Sequence, residues 1–209
     1  MKNIIKGNDW HRSYAYNKFV NAPQPMCNLS ARVNITRLMK HKKNHKLNTM
    51  LLYCIQEATE ECNSFHFDFH GEDEVIRYDH VATDLIIYGT DDELHFVQIP
   101  YVEGFKEFEA KYLELTSYCK EHNCDNIVEN HAHVSTSTVA SFVFDAIIPG
   151  YRPEFHNPFF MWSRYQKSMF KTVLGMTFSC HHTFFDGRDI GEIFNKLQEK
   201  INSFDPKKS

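Results

Sequence analysis

The block Phe178-Ser179-Cys180-His181-His182-Thr183-Phe184-Phe185-Asp186-Gly187-Arg188-Asp189 concentrates the side chains best suited to moving a proton. A free imidazole titrates near pH 6.5, so a neutral histidine held at a strand end suits the role of general base toward an attacking hydroxyl. Asp186 stands close enough in sequence to order the loop or to pair with a basic group. If Thr172–His182 is extended, neighbouring side chains alternate and His181 and His182 point to opposite faces of the sheet. Only one of them then serves a given site. Taken alone, the histidine pair and the Asp-Gly step read more readily as a core-edge histidine beside a turn.

Metal binding is the second chemistry to weigh, because the chain has 13 histidines against 8 glycines. The candidate pairs are His131 with His133, His181 with His182, His66 with His70, and His122 with Cys124. Residues i and i+2 of a strand share a face, so His131 and His133 are the best placed to chelate. No pair comes with a third ligand at a recognised spacing and HExxH is absent, so no metal is expected. The six cysteines, at 27, 54, 62, 119, 124 and 180, show neither CxxC nor a paired framework, as reduced thiols of a reducing compartment would.

Three segments have the helical period that would position such residues. Apolar side chains recur at 47, 51, 54, 55, 58 and 62 in Leu47–Cys62, at 105, 108, 112, 115 and 119 in Phe105–Cys119, and at 190, 193, 194, 197 and 201 in Ile190–Ile201. Strand-type runs are Ala31–Thr36, Glu74–Asp79, Asp84–Tyr88, Glu93–Tyr101, His131–Ser137, Phe142–Ile148, Phe159–Gln166 and Thr172–His182, and Phe65–Phe69 alternates like a further strand. Without strict βαβ alternation, this order predicts an α+β two-layer sandwich: a mixed β-sheet with amphipathic helices packed on one face. No linker or repeat divides the 209 residues, so a single domain over 1–209 is expected.

The pattern His-His-x-x-x-Asp-Gly at a strand end, opening a C-terminal helix, resembles the CoA-dependent acyltransferases of the chloramphenicol acetyltransferase family. The likeness continues in Trp10-His11-Arg12, in Ala31–Leu38, in Lys46-Leu47-Asn48-Thr49, in Asn130–Ser135 and in Pro158 with Arg164-Tyr165-Gln166. It implies the CoA-dependent acyltransferase fold, direct transfer of acetyl from acetyl-CoA to a small-molecule alcohol, and chloramphenicol as the leading acceptor, with a place in antibiotic resistance. By the same resemblance His182 is the general base and Ser135 donates to the tetrahedral oxyanion. Arg12 and Asp186 form a buried structural ion pair, Lys46, Arg164 and Tyr165 contact the cofactor, and Phe19 and Cys27 line the acceptor pocket. The family is a homotrimer in which His182 of one subunit would face its neighbour's acceptor pocket. The chain departs from the pattern in Phe184-Phe185, in Ser179, in Thr138-Val139 and through Tyr14–Cys27, which leaves open a different alcohol or a non-catalytic relative that binds acyl-CoA or another small ligand.

Charge and hydropathy fit these expectations. A net charge of −4 argues against nucleic acid as a partner. Lys40, Lys42, Lys43 and Lys46 gather just before the Leu47 helix, whose N-terminus itself favours anions, although a solvated loop explains the first three equally well. Neither an 18-residue apolar stretch nor the apolar run of a signal peptide is visible, so a cytoplasmic protein with no membrane partner is expected.

Overall fold

A computed structural model describes residues 3–208. In chain order the elements are β1 (Asn3–Lys6), α1 (Ser13–Phe19), β2 (Met26–Asn34), α2 (Thr36–Met39), α3 (Leu47–Glu60), β3 (Phe67–His70), β4 (Glu74–Arg77), β5 (Val81–Tyr88), β6 (Leu94–Ile99), α4 (Phe105–His122), β7 (Ala132–Val139), β8 (Phe159–Ser163), β9 (Gln166–Lys167), β10 (Thr172–His181) and α5 (Gly187–Ser203).

The main sheet runs β2-β10-β8-β7-β5-β6, with the short β9 also paired to β10. β10 is antiparallel to β2 and β8, β5 is antiparallel to β6, and the β8–β7 and β7–β5 pairs are parallel. The sheet is therefore mixed, as the element order predicts. A small antiparallel sheet, β1-β4-β3, stands beside it. Helix α3 packs against α4 and α5, and the stripe Ile190, Ile193, Leu197 and Ile201 of α5 is buried at i, i+3, i+4 spacing. Each such side chain contributes about 1.5–3 kcal/mol on full burial.

Burial alternates along the outer strands in a way that separates the two faces. In β7, Ala132, Val134 and Thr136 are buried, whereas His133, Ser135 and Ser137 are half-buried. In β6, Val97 and Ile99 are buried while Leu94 and Phe96 are exposed. One face thus lies under the helices and the other is only partly covered, by the irregular segment 140–157. β10 differs: all but one of its residues are buried, because both of its faces are covered.

Several boundaries depart from the sequence expectation. Phe142–Ile148 is not a strand. Its backbone bonds go to side chains and single loop groups, as in Ile147 N–H to Thr177 Oγ1 at 3.2 Å, rather than to a ladder. The segment crosses β10 at Gly175, where any Cβ would collide with the Phe144 carbonyl oxygen, so glycine is what permits the crossing. Phe65 and His66 lie in a 3₁₀ turn and the strand begins at Phe67. The run Phe159–Gln166 breaks after Ser163, which puts Arg164 and Tyr165 in a connection. β1 and α1 are too short to give a periodic signal, and neither was anticipated.

Candidate active site

β10 ends at His181, and the ladder continues one step further through His182 N–H to the Pro25 carbonyl at 2.8 Å. The chain then turns sharply: the N–H groups of Phe184 and Phe185 both bond the His181 carbonyl, and both rings are driven into the core. This turn brings the Phe185 carbonyl to 2.8 Å from His182 Nδ1. A carbonyl only accepts, so Nδ1 carries a proton, and in the neutral ring the lone pair then lies on Nε2. The ring stacks on Phe19, 4.1 Å between centroids at 20°. An imidazole held in this tautomer and orientation is competent to take a proton from a hydroxyl.

His181 is a different kind of residue. It is 2% exposed, its ring meets Phe69 edge-on, and its Nδ1 accepts from Thr183 N–H at 3.2 Å. Burial, with the neighbouring His156 and His182, pulls its pKa down to about 4. Between pH 6.5 and 4 the unfolded chain binds a proton here that the folded chain refuses. The stability that goes with a neutral His181 is therefore present above pH 6.5 and lost as the pH falls to about 4, by up to about 3 kcal/mol. His156 runs the other way: burial lowers it, but its 2.8 Å bond to Asp68 outweighs burial and raises it. Urea midpoints followed from pH 7.5 to 4 should fall more steeply for the wild type than for His181→Phe; parallel curves would exclude this role.

Arg12 reaches the same turn from the N-terminal segment. Its Nε donates to the Thr183 carbonyl at 3.2 Å, and its Nη1 to Asp189 Oδ2 at 2.9 Å. The contact to Asp186, the partner the resemblance implies, is present but longer, 3.5 Å. Asp186 is also no buried partner, with 49% of its side chain exposed against 17% for both Arg12 and Asp189. The reason is local: Asp186 caps α5, accepting from the N–H groups of Arg188 and Asp189 at 2.8 and 3.3 Å. Burial alone would raise its pKa, but these two N–H groups and the guanidinium outweigh it and hold the carboxyl below the usual range. Asp189 completes a capping box by accepting from Asp186 N–H at 2.7 Å, and its other oxygen accepts from Ser64 Oγ at 2.6 Å. Asp189 is the ion pair's main partner, which the sequence reading missed although the three-residue spacing from Asp186 was in view.

Ser135 lies on the partly covered face, in a cavity of about 280 Å³ between the sheet and segment 140–157. Its hydroxyl donates to Asp84 Oδ2 at 3.4 Å, and His133 Nδ1 stands 3.4 Å from Asp84 Oδ1. Burial raises the Asp84 pKa against the pull of His133 and Ser135. Neither Asp84 nor His133 was expected at this site. The signal for Asp84 was an acidic residue inside an otherwise apolar strand. Among the described residues His182 makes no hydrogen bond to Ser135 and is not among the side chains that line this cavity.

The other expected residues fall into two groups. Lys42, Lys43 and Lys46 line a groove at the start of α3, and Lys42 Nζ bonds the Tyr165 hydroxyl at 2.8 Å while lying over its ring. Lys42 thereby lowers the Tyr165 pKa and ties it to the basic run. Arg164 is exposed beside it. Cys27 sits opposite Cys180 on β2, half-buried, with its thiol raised by burial. Of the histidines weighed for a metal, His66 is committed to two backbone carbonyls, of Glu60 at 2.9 Å and Tyr78 at 3.2 Å. No cluster of three or more potential ligands occurs among the described residues. No helix among them is long and apolar enough to cross a membrane.

The mixed sheet, its one-sided helical layer and the strand-end histidine define a CoA-dependent acyltransferase fold. The sequence pattern of the chloramphenicol acetyltransferase family matches residues 2–198, and the chain belongs to that family, which makes it an acyltransferase. A chloramphenicol acetyltransferase of Clostridium perfringens is 24% identical over 97% of this chain and 96% of its own length, and one of Clostridium butyricum is 23% identical over 97% and 95%. The fold is shared with a solved chloramphenicol acetyltransferase at a TM-score of 0.82 and 17% identity, covering 96% of this chain and all of the other. It is also shared, at a TM-score of 0.71 and 13% identity over 94% and 95%, with a truncated catalytic core of the 2-oxoacid dehydrogenase multienzyme complex from Thermoplasma acidophilum.

Proposed function

We propose that the chain, as a single domain over residues 1–209, is an acetyl-CoA-dependent O-acetyltransferase acting on a small-molecule alcohol, with chloramphenicol the first acceptor to test. The observation that carries this reading is the His182 ring, whose Nδ1–H is spent on the Phe185 carbonyl so that Nε2 is free to accept. In the proposed reaction Nε2 takes the acceptor's hydroxyl proton as the oxygen attacks the thioester carbonyl. Ser135 turns its hydroxyl to the oxyanion, and collapse of the tetrahedral intermediate expels the CoA thiolate, which recovers the proton from His182. Lys46, Lys42, Arg164 and Tyr165 would hold the anionic cofactor at the start of α3.

We read the active site as shared between copies of a homotrimer, His182 of one subunit facing Ser135 of the next. Two observations support this: within the chain His182 neither bonds Ser135 nor lines the cavity that holds it, and the cavity face carries exposed Phe142, Ile148 and Phe155, the kind of apolar surface that marks an interface. The six cysteines, all unpaired, suit a cytoplasmic enzyme.

Thiol release from acetyl-CoA with chloramphenicol as acceptor tests the activity. Ser135→Ala is expected to lower kcat by about 10²–10³-fold, the usual cost of one oxyanion donor. Co-expression of Ser135→Ala with His182→Ala chains should restore part of the turnover, since mixed trimers then contain intact sites. No turnover of chloramphenicol or any of a broad panel of alcohols would overturn the acetyltransferase reading, and failure of the two variants to complement would overturn the shared site.

A further inference from the structure

Four strands contribute one row of residues across the floor of the Ser135 cavity. Strand pairing sets Asp84 of β5 beside Ser135 of β7, Ser135 beside Phe159 of β8, and Phe159 beside Ser179 of β10. All four residues line the cavity, with the apolar side chains of Met26, Phe96 and Phe155 about them. A row of this kind is rigid, because each side chain stands on a ladder position rather than on a loop.

The polar members of the row are short of partners. Asp84 is 6% exposed and Ser179 1% exposed, yet Ser179 Oγ has no hydrogen bond among the described residues, and Asp84 Oδ1 has only a long approach from His133 Nδ1, 3.4 Å and outside good hydrogen-bond geometry. Its contacts to His133 and Ser135 are both 3.4 Å, long for charge-assisted bonds, and Gln98 adds a further, weaker pull on Asp84. A buried carboxylate in that state is costly unless something cationic or strongly hydrogen-bonding completes it. The groups facing it are Ser135, His133, Gln98 and, at the cavity mouth, Arg152. Arg152 is solvent-exposed, so its charge is screened, whereas Asp84 acts in a desolvated pocket.

We infer that this cavity is built for an amino alcohol: an acceptor whose hydroxyl lies at Ser135 and whose ammonium group sits on Asp84, with Ser179 accepting a second N–H and the aromatic side chains covering its carbon frame. The inference rests on the reading of Ser135 as the oxyanion donor, which brings the reacting hydroxyl of the acceptor beside it. It makes Asp84 a specificity-determining residue that favours a cation over a neutral alcohol of the same shape.

The test is calorimetric binding, at low salt and neutral pH, of two arylpropanediols that differ only in an amine on the middle carbon, run beside turnover assays on the same pair. The wild-type protein should bind the amine at least tenfold more tightly than its neutral counterpart, and Asp84→Asn should reduce that ratio toward one. Equal or weaker binding of the amine by the wild type would overturn the proposal, as would an unchanged ratio in a folded Asp84→Asn protein. If Asp84→Asn does not fold, the wild-type ratio decides alone. Amine-selective binding with no acetyl transfer to either compound would instead count against the acetyltransferase reading and leave the ammonium site standing.

Discussion

Replacing His182 by alanine is expected to lower kcat for acetyl transfer by about 10²–10⁴-fold, the span that a positioned general base supplies. The KM for acetyl-CoA should stay close to that of the wild type, because the groove proposed to hold it, at the start of α3, is lined by Lys42, Lys43 and Lys46 without His182. The fold should survive. His182 is half-buried, and its two main contacts are the Phe19 ring and one loop carbonyl, which water can satisfy once the ring is gone. Steady-state kinetics on a variant with wild-type circular dichroism check the prediction. A kcat within a few-fold of the wild type would remove His182 from the chemistry.

The second large effect concerns Asp189. Asp189→Ala should destabilise the protein by about 3 kcal/mol, since it strands a mostly buried guanidinium and two further donors, Asp186 N–H and Ser64 Oγ. Asp186→Ala should cost only about 1 kcal/mol, the usual loss of a helix N-cap, because its Arg12 contact is long and half in solvent. For a chain of this length each kcal/mol shifts Tm by about 2–4 °C. Scanning calorimetry should therefore show a fall of roughly 6–12 °C for Asp189→Ala against roughly 2–4 °C for Asp186→Ala. The reverse order would restore Asp186 as the ion pair's anchor. Activity is expected to fall with Asp189→Ala as well, because Arg12 also holds the Thr183 carbonyl of the turn that aims His182.

The sequence disclosed the parts of this structure that repeat or alternate. The stripes of α3, α4 and α5, the alternation of β6 and β7 and the apolar runs of β5 and β10 are long enough to be seen, and the mixed sheet follows from their order. Elements that depend on distant partners were hidden. β1 has four residues, and its register against β4 is set by contacts some 70 positions away. Phe142–Ile148 has strand-like composition, yet its place is decided by the missing side chain of Gly175. At the site, the family resemblance proposes His182, Ser135 and the Arg12–Asp186 pair, but spacing alone could not rank Asp186 against Asp189. That ranking depends on which carboxylate the helix N-terminus has already engaged. Asp84 stands out only as an acidic residue in an apolar strand; strand register alone reveals that it stands beside Ser135.

Asp189 also dictates an order of events. Its bonds to Arg12 and Ser64 span 177 and 125 residues. On a ribosome, the segment around Trp10–Arg12 and the 3₁₀ turn before β3 are synthesised early and must wait for almost the whole chain before their shared fastening exists. Closing such long loops is entropically slow, so the turn that aims His182 belongs to the last part of the molecule to set. A chain that stops short of Asp189 lacks α5 as well as this fastening, and leaves the Arg12 segment and the Ser64 turn untied.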